Sequence, residues 1–327
     1  MLKRCVFSAI QPTGIPTLGN YGVLKKWVDL QNDYNCVFMV ADLHSLTSKQ
    51  DPDVLKKNSL DLFALLISIG LDPNKSIIYF QSHISQHAEL TWILNCYTGI
   101  GELFRMTQFK EKSKKNKKNI NSGLLVYPVL MAADILLFDA NLVPVGKDQK
   151  QHIEFCRDIA IRFNKIFGPC FEVPNELIQI VGEKIMSLQE PNKKMSKSDP
   201  NLNSTIFLLD SERDIIKKIK RAVTDSENII KFAENKLGIN NLLNIFCSIK
   251  NVSLNYAEFF FRDKNYSDLK NILAEEISIN FNIIQEKYNK IRSDEDKLYQ
   301  VINLGCKKAK LIAEKKIKKI KKTIGFA

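Results

Sequence analysis

The sequence predicts an α/β chain: a parallel sheet covered by helices on both faces, followed by an α-helical C-terminal domain. Two observations predict it. Short apolar runs alternate with helix-period segments through the first half of the chain, the pattern of strand–helix–strand units. After residue 200 the short runs stop and long amphipathic segments take over. The size agrees, because 327 residues suffice for two or three domains with a real core.

Val6 to Ile10 reads as a buried strand that ends in the loop Gln11-Pro12-Thr13-Gly14. Leu24, Trp27, Val28 and Leu30 then follow helical spacing. Cys36 to Ala41 is a second strand, Val54 to Ile69 a helix, and Ser76 to Phe80 a third strand. The lysine-rich stretch 110–119 has no apolar period and reads as a mobile loop or a solvated helix end. Leu142 to Val145 is a further strand, and Gln151 to Phe163 a helix. A linker over 188–203, rich in Pro, Asn and Ser, divides the chain into 1–190 and 191–327. Four helices are predicted beyond it: Glu212 to Val223, Leu242 to Ile249, Leu269 to Arg292 and Asp296 to Ile320. The last carries lysines on one side and Ala309, Ile312, Ala313, Ile317 and Ile320 on the other. It reads as a docked amphipathic helix, with RNA contact as a second use.

Several classes are set aside. The longest apolar stretch, Val126 to Leu137, is broken by Pro128 and Asp134 and is too short to span a bilayer. The N-terminal run is too short for a signal peptide. The seven cysteines include no CxxC pair, so no metal site is signalled, and they are expected to be reduced thiols in the cytoplasm. A net charge of +12 suits a polyanionic partner, although an abundance of lysine, asparagine and isoleucine also follows from AT-rich coding.

Four segments carry chemistry. Gln11 to Asn20 joins a strand to a helix start, where free N–H groups and the dipole suit phosphate; many such turns merely redirect the chain. Lys193-Lys194-Met195-Ser196-Lys197-Ser198-Asp199 can wrap a polyphosphate and stabilise a leaving pyrophosphate, or stand as a solvated interdomain loop. Val143 to Gln149 leaves the carboxyl end of a strand, where ligands sit in open sheets, or simply caps a helix. In Tyr127 to Asp134 a carboxylate ends an apolar helical run. Once buried it needs a partner, either a ligand N–H or a nearby protein group.

Together these segments resemble the bacterial tryptophanyl-tRNA synthetases, a class I aminoacyl-tRNA synthetase family, over essentially the whole chain. Phe7 to Asn20 looks like that family's HIGH motif, with Thr17 and Asn20 in place of the two histidines. Lys194 to Ser198 is a complete KMSKS motif. Gly101-Glu102-Leu103, Arg105 to Lys110 and Asp148 to His152 are also family-like. The resemblance implies a Rossmann-like catalytic domain, a helical tRNA anticodon-binding domain, and ATP, Mg2+, L-tryptophan and tRNA(Trp) as ligands of a homodimer. It further implies that Gln11, Pro12, Thr13, Gly19, Asn20, Gly146, Lys147, Asp148 and Ile185 bind ATP. Lys194, Met195, Ser196, Lys197 and Ser198 are implied to hold its phosphates. Gln11, Lys112, Lys194 and Lys197 are the implied catalytic residues. Asp134 would accept the indole N–H. Phe7, Met131, Val143 and Val145 would enclose the ring, Tyr127 and Gln149 would hold the amino group, and His44 would lie nearby. No residue is assigned to a resident metal.

Four positions depart from the family pattern: Ala9 for glycine, Lys147 for glutamate, Leu43 for glutamine, and an Asn20 to Val23 segment one residue short. Three competing readings stand beside this one. A tyrosyl enzyme would want polar groups for a phenol. A small adenylyltransferase would lack the helical domain. A catalytically silent RNA-binding descendant would bind RNA without forming an adenylate.

Overall fold

The computed structural model describes residues 3–115, 120–146, 149–178 and 185–326, with the backbone alone at 112–115 and 178. The first half alternates strands and helices as expected: β1 Cys5–Ile10, α1 Leu18–Asp33, β2 Asn35–Val40, α2 Asp42–Ser45, α3 Pro52–Ile69 and β3 Ile77–Phe80. Three helices follow that periodicity did not pick out, α4 Gln86–Asn95, α5 Ile100–Arg105 and α6 Thr107–Lys115. The lysine-rich stretch therefore begins as helix α6, and 116–119 lie outside the described residues. Next come α7 Ser122–Leu136, β4 Leu142–Val145, α8 Lys150–Phe167 and a strand not anticipated, β5 Asn175–Ile178.

Among the described residues the five strands form one parallel sheet in the order β3-β2-β1-β4-β5. The order reverses between β1 and β4, which opens a crevice at their carboxyl ends. Gln11 leaves the end of β1 and Gly146 the end of β4, so the first and third segments above flank that crevice. β1 to β4 are largely apolar because both faces are covered. Val6, Phe38 and Val40 join one apolar cluster with α1 and α3, while Phe7, Val37, Met39 and Val143 join another with α7 and α8. The two-residue period of the strand sorts them.

The second half is helical: α9 Glu212–Lys220, α10 Leu237–Lys250, α11 Leu254–Phe261, α12 Tyr266–Arg292 and α13 Glu295–Thr323. Here α9 stops short of Val223, whose N–H bonds the Leu188 carbonyl instead of continuing the helix. A third cluster gathers Ile219, Leu242, Phe246, Leu269 and Phe281 of these helices. It also takes in Leu18 and Tyr21 of α1, and Ile185, Leu188 and Met195. The KMSKS segment therefore packs with the helical half.

Helix α13 returns to the sheet. Leu298 and Ile302 enter the α1–α3 cluster, and Ala309, Ala313, Ile317 and Ile320 the α7–α8 cluster. Between them Gly305 crosses the edge strand β3 so closely that an added Cβ would lie 1.8 Å from the Ile78 carbonyl oxygen. A helix thus covers an edge that would otherwise offer free strand groups. Two positions differ from the expected docked face. Ile312 is 40% exposed, while Lys316 is buried, its ammonium bound to the Asp139 carboxylate and the Cys170 carbonyl. A long side chain reaches inward because both partners wait there.

Candidate active site

At the amino end of α1 the chain is held tightly. Thr17 caps the helix, and Asn20 Oδ1 accepts the Thr17 backbone N–H at 3.0 Å and lies 3.2 Å from its hydroxyl. That leaves the Asn20 amino group as its free donor toward a ligand. Thr17 itself is buried. Gln11 and Thr13 are exposed, whereas Pro12 is buried. Gly14 adopts φ +110°, a conformation that L side chains rarely take. The short segment at Asn20 to Val23 does not interrupt α1, and Gly22 there lies against Ser248 of α10.

The KMSKS segment closes over this loop. Lys197 Nζ donates to the Gly14 carbonyl at 3.1 Å. Pro16 to Leu18 pairs with Ile206 to Leu208 through Leu18 N to Ile206 O at 2.8 Å and Leu208 N to Pro16 O at 3.0 Å. A Cβ at Gly19 would stand 3.7 Å from Ile185 and 3.9 Å from Met195, so these three residues meet. The Ser196 and Ser198 hydroxyls are 3.1 Å apart, and both residues are exposed, as is Lys194. Burial lowers the Lys197 ammonium to about 8, because desolvation penalises its charge. A phosphate would supply the counter-charge it lacks.

The other end of the site lies beneath α7. Tyr127, Met131 and Asp134 fall at i, i+4 and i+7 of that helix and so share one face. Asp134 is 1% exposed. His44 Nε2 stands 2.8 Å from its Oδ2, and Gln81 Nε2 donates to Oδ1 at 2.8 Å. His87 Nδ1 is 2.7 Å from Oδ1, off hydrogen-bond alignment, while its Nε2 is 2.9 Å from the Tyr79 hydroxyl. Burial alone would raise the Asp134 carboxyl, but His87 and His44 outweigh it and hold it at about 2. The carboxylate is therefore ionised. It has about four acceptor positions, so the His44 and Gln81 hydrogen bonds, with His87 close beside Oδ1, leave room for a ligand donor.

Phe7 and Val143 are buried in the adjoining cluster, with Met131 and Val145 half-buried against it. The Tyr127 hydroxyl donates to Gln108 Oε1 at 3.3 Å and is 2.8 Å from His152 Nε2. Burial pushes that hydroxyl to about 12, so it keeps its proton. Gln149 is half-buried just before α8, and Gly146 and Ala9 are exposed. Lys147, Asp148 and the Lys112 side chain lie outside the described residues.

Sequence reasoning did not pick out Gln81, His87 and Tyr79. One signal was present: the chain has four histidines, and His44, His87 and His152 all gather here. Such use of a scarce polar residue marks a built site.

Comparison with known proteins finds relatives along the whole chain. The family described as "tRNA synthetases class I (W and Y)" matches residues 3–282. A tryptophan–tRNA ligase of Wigglesworthia glossinidia brevipalpis is 51% identical over 336 residues, spanning 100% of this chain and 99% of that protein. The tryptophanyl-tRNA synthetase of Mycoplasma pneumoniae superposes with a TM-score of 0.91 at 36% identity, over 100% of this chain and 99% of the other. That of Campylobacter jejuni, solved with ADP and tryptophan, gives 0.85 at 35% identity, over 98% and 100%.

Proposed function

The chain belongs to the class I tRNA synthetases for tryptophan and tyrosine, and on that premise we propose how it works as a tryptophan–tRNA ligase. Tryptophan lies with its ring among Phe7, Met131, Val143 and Val145, with Tyr127 and Gln149 holding its amino group and His44 nearby. Its indole N–H takes the acceptor position left on Asp134. The observation that carries this is the ionised, buried Asp134 beside an apolar cluster, a site made for a flat donor. A phenol would ask the same carboxylate to accept an O–H within a shorter ring.

ATP lies across the crevice. Gln11, Pro12, Thr13, Gly19, Asn20, Gly146, Lys147, Asp148 and Ile185 bind it. Lys112, Lys194 and Lys197, with Met195, Ser196 and Ser198, hold its phosphates. The tryptophan carboxylate attacks the α-phosphorus, forming tryptophanyl-adenylate as pyrophosphate leaves. The tRNA terminal 2′-hydroxyl then attacks the acyl carbon and AMP departs. Phosphoryl transfer needs positioning and charge stabilisation more than covalent help. Lys197 is poised for this, since its charge is under-compensated until phosphate arrives. Among the described residues no group of three or more His, Cys, Asp or Glu side chains could hold a metal. Magnesium would be carried by the nucleotide as counterion to its phosphates, and no step here is routed through it.

Residues 1–190 act as the catalytic domain and 191–327 carry the KMSKS segment and the tRNA-binding helices. A tRNA partner is supported by the +12 charge and by exposed rings on α11, where Arg262 lies over Phe259 and Lys264 over Phe260, each 4.9 Å from the centroid. A homodimer is supported by Trp92, Ile100 and Phe104, exposed on the consecutive helices α4 and α5. No described helix is long and apolar enough to cross a membrane, and a cytoplasmic location goes with this reading.

The test is amino-acid-dependent exchange of labelled pyrophosphate into ATP. Exchange with tryptophan but not with tyrosine or phenylalanine is expected. Exchange with tyrosine alone would overturn the indole assignment. No exchange from folded protein would favour the silent RNA-binding reading.

A further inference from the structure

The KMSKS segment is one arm of a short antiparallel hairpin. Ser187 N donates to Lys193 O at 2.8 Å and Met195 N to Ile185 O at 3.0 Å, so Met186 faces Lys194 as a non-hydrogen-bonded pair. In such a pair the backbone N–H and C=O point away from the partner strand. Met186 would thus present a bare strand edge toward the helical half. Asn241 of α10 meets it. Its Oδ1 accepts the Met186 N–H at 2.8 Å, and its Nδ2 donates to the Met186 carbonyl at 2.9 Å and to Ser187 O at 3.5 Å. A carboxamide has the donor and acceptor of a peptide group, so one side chain stands in for a third strand. Asn241 is 3% exposed, between Ile239 and Leu242, which anchor the same turns in the third cluster.

A second fastening runs beside it. Val223 N donates to Leu188 O at 2.9 Å, and Gly238 of α10 approaches the Val223 carbonyl so closely that a Cβ would lie 2.1 Å from its oxygen. The root of the hairpin is therefore tied to the first turns of α10 at two points. Its lysine-bearing end reaches the other way, to Gly14.

We propose that Asn241 is a positioning residue for adenylate formation. It fixes the hairpin to α10, so that Lys194 and Lys197 keep their place relative to the helical half. The inference rests on the ATP-activating reading above. It predicts an effect on the phosphates and none on the amino-acid pocket, which the hairpin does not touch.

Asn240 supplies a matched control. It makes the same two-way clip, but to Ala233 within the helical half, with Nδ2 to Ala233 O at 2.7 Å and Ala233 N to Oδ1 at 3.1 Å. The experiment compares Asn241→Ala, Asn241→Asp and Asn240→Ala with the parent protein in tryptophan-dependent pyrophosphate exchange. Tryptophan binding is followed separately by calorimetry without nucleotide. Asn241→Asp keeps the acceptor and the volume but loses both donated bonds and sets a carboxylate oxygen against two carbonyls, so circular dichroism and the melting midpoint of each variant establish that it is folded before its kinetics are read. Both Asn241 variants are expected to raise KM for ATP and lower kcat, each by tenfold or more for alanine, with tryptophan affinity within twofold. Faster hydrogen exchange at the Ser187 and Met195 amides should accompany this. Asn240→Ala is expected to lower the melting midpoint with kinetic constants within twofold. The proposal is overturned if the folded Asn241 variants keep the parent's ATP constants, or if Asn240→Ala shifts them equally. Absence of exchange in the parent protein would instead overturn the underlying reading.

Discussion

At one end of the site Asp134 is buried with His44, His87 and Gln81 around it, inside the core that α7 and α8 form on the sheet. At the other end Lys194, Ser196 and Ser198 stand exposed on a hairpin that belongs to the core of the helical half. The first end is pre-organised before any ligand arrives. The second is strung between two cores, with Lys197 held under-compensated against Gly14. The difference suits the two tasks. Discrimination between flat rings needs fixed polar partners, whereas phosphate transfer needs groups that gain contact as charge develops.

The sharpest way to break this comparison is at Asp134. On the proposed reading, replacing it by alanine removes the acceptor for the indole N–H and should cut the preference for tryptophan over phenylalanine by up to roughly 10⁴-fold in pyrophosphate exchange. Alanine also leaves His44, Gln81 and His87 without their shared partner, so Asp134→Asn, of the same shape, is the companion variant. An unchanged preference in both would contradict the assignment. Lys197→Ala should act on rate instead. A loss of roughly 10² to 10³-fold in kcat for exchange is expected.

The fold offers a control remote from both ends. Gly305→Ala forces a methyl into the Ile78 carbonyl where α13 crosses β3. Destabilisation of about 3 kcal/mol is expected from overpacking. It should appear in urea unfolding, with the tryptophan-to-phenylalanine ratio of the remaining folded enzyme unchanged.

The two ends should also separate by pH. Lys197 falls to about 8, and on the proposed reading it must be charged to meet phosphate. In free enzyme kcat/KM for ATP should therefore drop roughly tenfold per pH unit above that value. Lys197→Arg stays charged and should lose this alkaline limb, whatever its lower maximum. For stability the sign is opposite: between about 8 and 10.5 the unfolded chain holds the lysine proton more firmly, so this group's contribution rises with pH. Asp134, lowered to about 2, contributes stability that is fully present above its ordinary value of 3.8 and is lost as pH falls through 2.

Much of the first half was legible because strands buried on both faces leave short, uniformly apolar runs. β4 occupies Leu142–Val145 as read, and β1, β2 and β3 lie within a residue of their expected ends. The misses have physical causes. β5 begins Asn-Glu at the edge of the sheet, so it carries no apolar run. In α4 the exposed Trp92 sits among buried Leu90, Ile93 and Leu94, which blurs the helical period. Asp134 could be read as a buried carboxylate in want of a partner. Which partners it has could not, because His44, Gln81 and His87 come from α2, from the turn after β3 and from α4, and meet in space alone. Likewise the hairpin's lysines were plain in sequence, but not that their strand packs with α10 and α12.

The most direct test of the two-ended site is equilibrium binding of tryptophan, without nucleotide, to the parent protein, Lys197→Ala and Asp134→Asn. Lys197→Ala should bind tryptophan within twofold of the parent, because the hairpin does not reach the Asp134 pocket, while Asp134→Asn should lose at least tenfold. A tenfold loss in Lys197→Ala, or parental affinity in Asp134→Asn, would contradict the account.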